Sequence, residues 1–203
     1  MNVEPMIDLW ASDDVWLWRR ALDAYPEVVD GQGVEKLPAL DRWYREELPA
    51  AIAGRDPRAA THEELVRLTE WKMARGVWRA RNLVLVRGND PAVVENTSAE
   101  ALAEIPHPTR PISILSRLAG VGPATASAVA SAAAPEVYPF FDELVAAQIP
   151  EVGPVAFTLS YYNRYAAELT KRAAALGAGW TPTMAERALW SNSGGKAGLA
   201  AGA

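Results

Sequence analysis

Few residue types in this chain can do chemistry. Its 203 residues include no cysteine and only two histidines, His62 and His107. A thiolate nucleophile, a disulfide, cysteine-held zinc and an iron–sulfur cluster are therefore excluded. A histidine-rich metal site or a serine–histidine pair has little to draw on, so neither metal nor cofactor is expected. Carboxylates, hydroxyls, backbone amides, basic side chains and aromatic rings remain. Three groups of these stand out: Gly120-Val121-Gly122 followed by Thr125, the carboxylate of Asp142 twenty residues after Gly122, and the basic, aromatic run from Glu70 to Arg81.

The glycine pair lies between two short helical stretches, which places it in a tight interhelical hairpin. Glycine accepts positive φ there and lets another backbone come close. The first amides of the second helix lack intrahelical partners and, with the helix dipole, suit a phosphate oxygen. Such contacts hold a nucleic-acid strand without reading its sequence. The same three residues also fit a plain helix–helix turn.

Residues 67–87 hold six basic residues against Glu70, a net +5, whereas the whole chain carries −5 and the rest therefore −10. An acidic protein can hide a local anion-binding face in this way, although a solvated helix face gives the same pattern. On one continuous helix, Lys72, Arg75 and Arg79 share a face, with Trp71, Arg75 and Trp78 on the next and Arg81 close by. Arginine grips phosphate with two parallel bonds, and tryptophan can stack on an extruded base. Tryptophans at helical spacing are also ordinary core residues. Tyr138, just before Asp142, is a further pocket candidate, while Tyr161, Tyr162 and Tyr165 read as packing. Asp142 itself fits an N-cap before Glu143-Leu144, and Glu143 fits a first-turn glutamate.

The elements that must position these residues are all helical. Helices are predicted from Ser12 to about Tyr25, from Pro38 to Leu48, and from the capping box Thr61–Glu64 through about Arg75, where Gly76 interrupts or divides the run. A second box, Thr97–Glu100, predicts a short helix ending before Pro106. Helices over 112–118 and 123–134 flank the hairpin. The longest candidate is 154–176, and Thr181-Pro182 opens a final helix to about Trp190. Leu83–Val86 is too short to demand a strand. The fold class is all-α, with a 1–60 segment packing on a 61–190 core and a 191–203 tail expected to be disordered. Met-Asn-Val-Glu-Pro carries no signal-peptide pattern, and no run approaches the roughly 18 apolar residues of a membrane span. A cytoplasmic protein is expected, with no membrane contact and no protein partner.

The pattern Leu118-x-Gly120-Val121-Gly122-x-x-Thr125-Ala126, continued through a helix and a connector to Pro139-Phe140-Phe141-Asp142, resembles the helix-hairpin-helix DNA glycosylase superfamily. That family includes endonuclease III and the adenine and alkylpurine glycosylases. The resemblance is specific over about 115–145 and architectural in the helices on either side.

It implies a helix-hairpin-helix glycosylase-like bundle over 61–190. It also implies a base-excision repair enzyme that flips a damaged base from duplex DNA, with nucleoid association. Asp142 would correspond to the catalytic aspartate, stabilising positive charge on the sugar and orienting water. The chain departs from the family at two places. Ala124 stands where lyase-competent members carry lysine, so strand cleavage through that position is not expected. Glu143 and Leu144 follow Asp142 where a small or hydroxyl residue and a histidine are usual. A monofunctional glycosylase is the leading expectation. A DNA-binding protein without catalysis, or an all-α protein with a purely structural Gly-Val-Gly turn, are the alternatives.

Overall fold

The computed structural model describes residues 8–201. The fold is all-α: 65% of it is helix, and the described residues contain no strand. Residues 1–7, the start of the 1–60 segment and the place of the targeting-sequence argument, lie outside the described residues, as do 202–203.

Side-chain caps set six of the helix starts. α1 (Val15–Asp23) is capped by Asp14, which accepts from the Trp16 amide, and α2 (Tyr25–Asp30) follows directly. α3 (Leu37–Arg42) runs through a π-type turn at Trp43–Glu47 into α4 (Leu48–Ala53). Helix therefore continues past the predicted stop, because Pro49 occupies the first turn of α4, where its missing N–H is not needed. α5 (His62–Arg75) opens with the capping box Thr61–Glu64 that the spacing predicts.

Gly76 then ends α5, and α6 (Ala80–Arg87) starts after an irregular stretch, so the basic run is two helices rather than one face. α7 (Pro91–Ala103) is capped by Asp90, which leaves the predicted start at Thr97 in mid-helix. Asp at the N-cap followed by Pro is the stronger signal.

The hairpin joins α8 (Arg110–Leu115) to α9 (Pro123–Ala133). A short α10 (Glu143–Ala146) precedes α11 (Leu159–Leu176). The Thr158 side chain caps α11, so this helix begins later than predicted and residues 154–158 are irregular. α12 (Pro182–Asn192) and α13 (Gly195–Ala201) complete the order. The described part of the expected disordered tail is thus helical. Gln32 holds it at both ends of its amide, donating to the Gly194 carbonyl at 3.0 Å and accepting from the Ala197 amide at 2.9 Å.

α9 is the central helix, buried from Ala124 to Ala132. Its alanines and serines let neighbouring helices approach closely, and α5, α8 and α4 pack around it. Residues 8–60 pack on the remainder through α3 on α5 and α1 on α12. Aromatic rings fill the junction: Trp71 of α5 stacks on Tyr44 at 3.6 Å between centroids and meets Phe140 at 5.0 Å.

Candidate functional site

The extended segment Pro139–Asp142 carries the candidate carboxylate, and three hydroxyls fix it in place. Ser127, one turn into α9, accepts from the Phe141 amide and donates to the Ala124 carbonyl, both at 2.9 Å. From α11, Tyr165 donates to the Phe140 carbonyl at 2.7 Å and Tyr162 to the Pro139 carbonyl at 3.3 Å. The tyrosines that read as packing therefore also hold the backbone. Asp142 caps α10 by accepting from the Leu144 amide at 2.8 Å through Oδ1. Its Oδ2 lies 3.6 Å from Arg75 Nε.

Beside Asp142 opens a cleft of about 600 Å³, its mouth included. Phe140, Phe141 and the half-exposed Phe157 form its apolar walls. Ala124, in the first turn of α9, lines it too, so the helix that starts at the hairpin and the carboxylate share one recess. Lys72, Arg79 and Lys196 line it against Asp142 and Glu143, which leaves the cleft mildly cationic. Burial, with the positive Arg79 beside it, pushes the Lys72 ammonium down to about 8 against the pull of Glu143 and Asp142.

Behind the cleft lies a charged hub. Arg75 is only 1% exposed and donates through Nη2 to the fully buried Glu186 of α12. Its guanidinium also lies over Trp190, 4.5 Å from the ring centroid. Burial works against this charge, yet Glu186, Tyr25, Asp142 and Asp41 together hold its pKa above the ordinary value. Burial pushes Glu186 up despite Arg75. A second buried carboxylate, Asp41, accepts from Tyr25 and from Trp71 Nε1, both at 2.8 Å. Arg45 lies 3.6 Å from it.

The hairpin is clipped to the end of α6. Asn89 donates to the Ala119 carbonyl and accepts from the Ala119 amide, both at 2.9 Å. Gly120 has φ +76°, and a Cβ there would stand 2.7 Å from the Asn82 carbonyl oxygen and 2.9 Å from Leu85 Cβ. Close approach to α6 therefore requires glycine. Gly122 is different: it is extended, caps α9 without a side-chain bond, and has open space where a Cβ would go.

The predicted site residues divide accordingly. Asp142, Lys72 and Arg79 meet in the cleft. Gly120 and Gly122 form the hairpin before α9 and do not line the cleft, while Val121 and Thr125 are buried, so their side chains anchor the turn and only backbone atoms are left for a ligand. Arg75 is interior and cannot be a phosphate contact, because it extends the buried face of α5 set by Leu68 and Trp71. Arg81 is exposed away from the cleft lining.

None of the three predicted base-pocket aromatics lines the cleft. Trp71 is core, and Trp78 is half exposed with Lys36 4.3 Å from its ring centroid. Tyr138 is buried and donates to the His107 carbonyl at 2.9 Å. Sequence reasoning missed Phe157, Lys196 and Ser127. Lys196 was hidden in the expected disordered tail and Phe157 in a stretch read as helix.

Among the described residues no group of three or more His, Cys, Asp or Glu could hold a metal ion, and no helix is long and apolar enough to cross a membrane. No protein-family model, curated protein or solved structure matches this chain.

Proposed function

We propose that this chain is a helix-hairpin-helix DNA glycosylase-like protein that releases a damaged base by hydrolysing its N-glycosidic bond. The observation that carries the reading is the sharing of one cleft by Asp142 and the first turn of α9, the helix that begins at Gly120–Gly122. Backbone amides at the hairpin would hold a phosphate. The flipped base would lie in the cleft against the half-exposed ring of Phe157. Asp142 would then stabilise the positive charge that develops on the sugar and orient the attacking water. Three cations against two carboxylates argue for a neutral damaged base rather than a cationic alkylated purine.

The test is base release from duplexes carrying deaminated, oxidised or alkylated bases, comparing the wild type with Asp142→Asn. The asparagine keeps an oxygen for the α10 cap, so the fold should persist. Release by the wild type and its loss in the variant is the expected result. Absence of release across the panel, with duplex binding intact, overturns the catalytic reading.

One observation favours a second reading, a DNA-binding protein without catalysis: the Asp142 carboxylate is 7% exposed and already engaged by Leu144 and Arg75. That reading predicts salt-dependent duplex affinity that Asp142→Asn leaves unchanged.

A further inference from the structure

A second pocket, about 590 Å³ with its mouth included, opens between α2, α3 and α12 and shares no lining residue with the Asp142 cleft. Tyr25, Val29 and Asp41 line its buried part, and Pro26 and Pro38 add apolar surface. Two guanidinium groups enter it, Arg45 from the π-type turn and Arg187 from α12. A π-type turn is a rare local geometry that occurs often at functional sites.

Arg187 is the group that the fold leaves unexplained. Its neighbour Glu186 turns inward to Arg75, whereas Arg187 makes no hydrogen bond and no ion pair among the described residues. Its Nε is shut off from solvent without an acceptor, and its guanidinium lies 4.5 Å from the Tyr25 ring centroid. Burial, then the positive Arg45 beside it, pull its pKa below the ordinary arginine value against Tyr25, Asp41 and Glu186. An arginine stays charged all the same.

Arg45 is only half engaged. Its Nη2 donates to the Tyr25 hydroxyl at 2.8 Å, while its Nε is buried with no acceptor. Asp41 does not satisfy the pair, because its Oδ1 already accepts from Tyr25 and Trp71 and stands 3.6 Å from Arg45 Nε. Arg45 Nη1 and both terminal nitrogens of Arg187 thus remain free of protein hydrogen bonds among the described residues. Unlike the two Nε atoms, they are not shut off from solvent. Two neighbouring cations, partly desolvated and with donors to spare, call for an anion.

We propose that this pocket binds a small monocarboxylic acid, its carboxylate held by Arg45 and Arg187 and its short apolar tail lying on Val29, Pro26 and Pro38. The parallel N–H groups of a guanidinium match the two oxygens of a carboxylate. The lining sets the charge of the ligand. Arg42, Arg45 and Arg187 are balanced by Asp30, Asp41 and Glu46, and Asp30 and Glu46 are exposed. Those two acids repel a dianion such as phosphate, and likewise the polyanionic backbone of DNA. The site is independent of the glycosylase reading.

The full-length protein is titrated at fixed ionic strength with isocaproate, with its neutral analogue isohexanol, and with inorganic phosphate, and amide NMR shifts are followed. Isocaproate is expected to give saturable shifts at 25–30, 38–46 and 184–188, with the other two probes at least about tenfold weaker. Arg187→Met keeps a stem over Tyr25 but gives up the charge, and should weaken isocaproate at least about tenfold. Asp30→Asn with Glu46→Gln should admit phosphate. Absence of saturable shifts, equal binding of isohexanol, or binding undiminished in a folded Arg187→Met overturns the proposal. Phosphate that binds the wild type as tightly as isocaproate overturns the choice of a monocarboxylate. A DNA duplex that displaces isocaproate from these segments shows a nucleic-acid contact instead and also overturns it. If Arg187→Met does not fold, the three wild-type titrations decide.

Discussion

The two glycines of the hairpin are expected to respond to alanine in opposite ways. At Gly120 a methyl group meets two obstacles. The backbone sits at φ +76°, where an L side chain costs about 1–2 kcal/mol. The new Cβ would also stand 2.7 Å from the Asn82 carbonyl oxygen, 2.9 Å from Leu85 Cβ and 3.0 Å from Val86 Cγ2, so α6 or the hairpin must move. Overpacking of that kind adds about 1–3 kcal/mol, for a total of about 2–5.

At Gly122 the backbone is already extended at φ −98° and nothing lies within 4 Å of the methyl position. The loss of unfolded-state freedom stabilises by about 0.4–1 kcal/mol, and the poorer N-cap costs a similar amount, so the net change stays within about 1 kcal/mol. Urea unfolding with a slope of about 2 kcal/mol per M should lower the midpoint of Gly120→Ala by about 1–2.5 M and move that of Gly122→Ala by no more than about 0.5 M.

Duplex affinity separates the functional part of the argument. A methyl group at Gly122 obstructs phosphate at the α9 amides, and losing one charge-assisted bond of about 1.5–3 kcal/mol weakens binding roughly tenfold to a hundredfold. A stable Gly122→Ala that binds duplex as tightly as the wild type would refute the hairpin grip. A Gly120→Ala with a wild-type midpoint would refute the close approach to α6.

Other perturbations probe the hub and the cleft. Glu186→Leu should cost about 3–5 kcal/mol in urea unfolding, since it strands the buried Arg75 charge. Adding Arg75→Met should recover most of that loss, and a double variant as unstable as the single one would contradict the pairing. Lys72→Met should be more stable than the wild type at pH 7. Because the folded lysine titrates near 8 and the unfolded one near 10.5, wild-type stability should rise between those values and close the gap. Parallel pH profiles would count against a buried, depressed amine facing Arg79, Asp142 and Glu143. Phe157→Ala should weaken binding of a lesion duplex by about 1–3 kcal/mol, the range for stacking one base, with stability nearly unchanged because the ring is half exposed.

Local signals suffice where one side chain decides the outcome. Thr61–Glu64 opens α5 because the box satisfies its amides within four residues, and the hairpin needs only its glycines and the helices beside it. The sequence misled where two local signals compete, as at Thr97, which lost to Asp90-Pro91.

The site itself was half legible. The spacing of Asp142 from the hairpin is legible in the sequence, but the groups that position its segment, Ser127, Tyr162 and Tyr165, act through backbone atoms far away in the chain. No pattern in one dimension encodes such contacts. Arg75 looked like a surface cation because its partner, Glu186, is 111 residues away. Its place after Leu68 and Trp71 on the buried stripe was the available warning. Lys196 and Phe157 reach the cleft from segments whose structure comes from long-range packing, Lys196 through the hold of Gln32 on the tail.

The central claim is that the hairpin and the Asp142 cleft engage one DNA molecule together. Hydrogen exchange of the full chain, free and bound to a duplex carrying a stable abasic-site analogue, tests this directly. The account predicts slowed exchange at both 119–125 and 140–146 in the same complex, lost at both in high salt. Protection of the hairpin alone, or of neither segment, would contradict it.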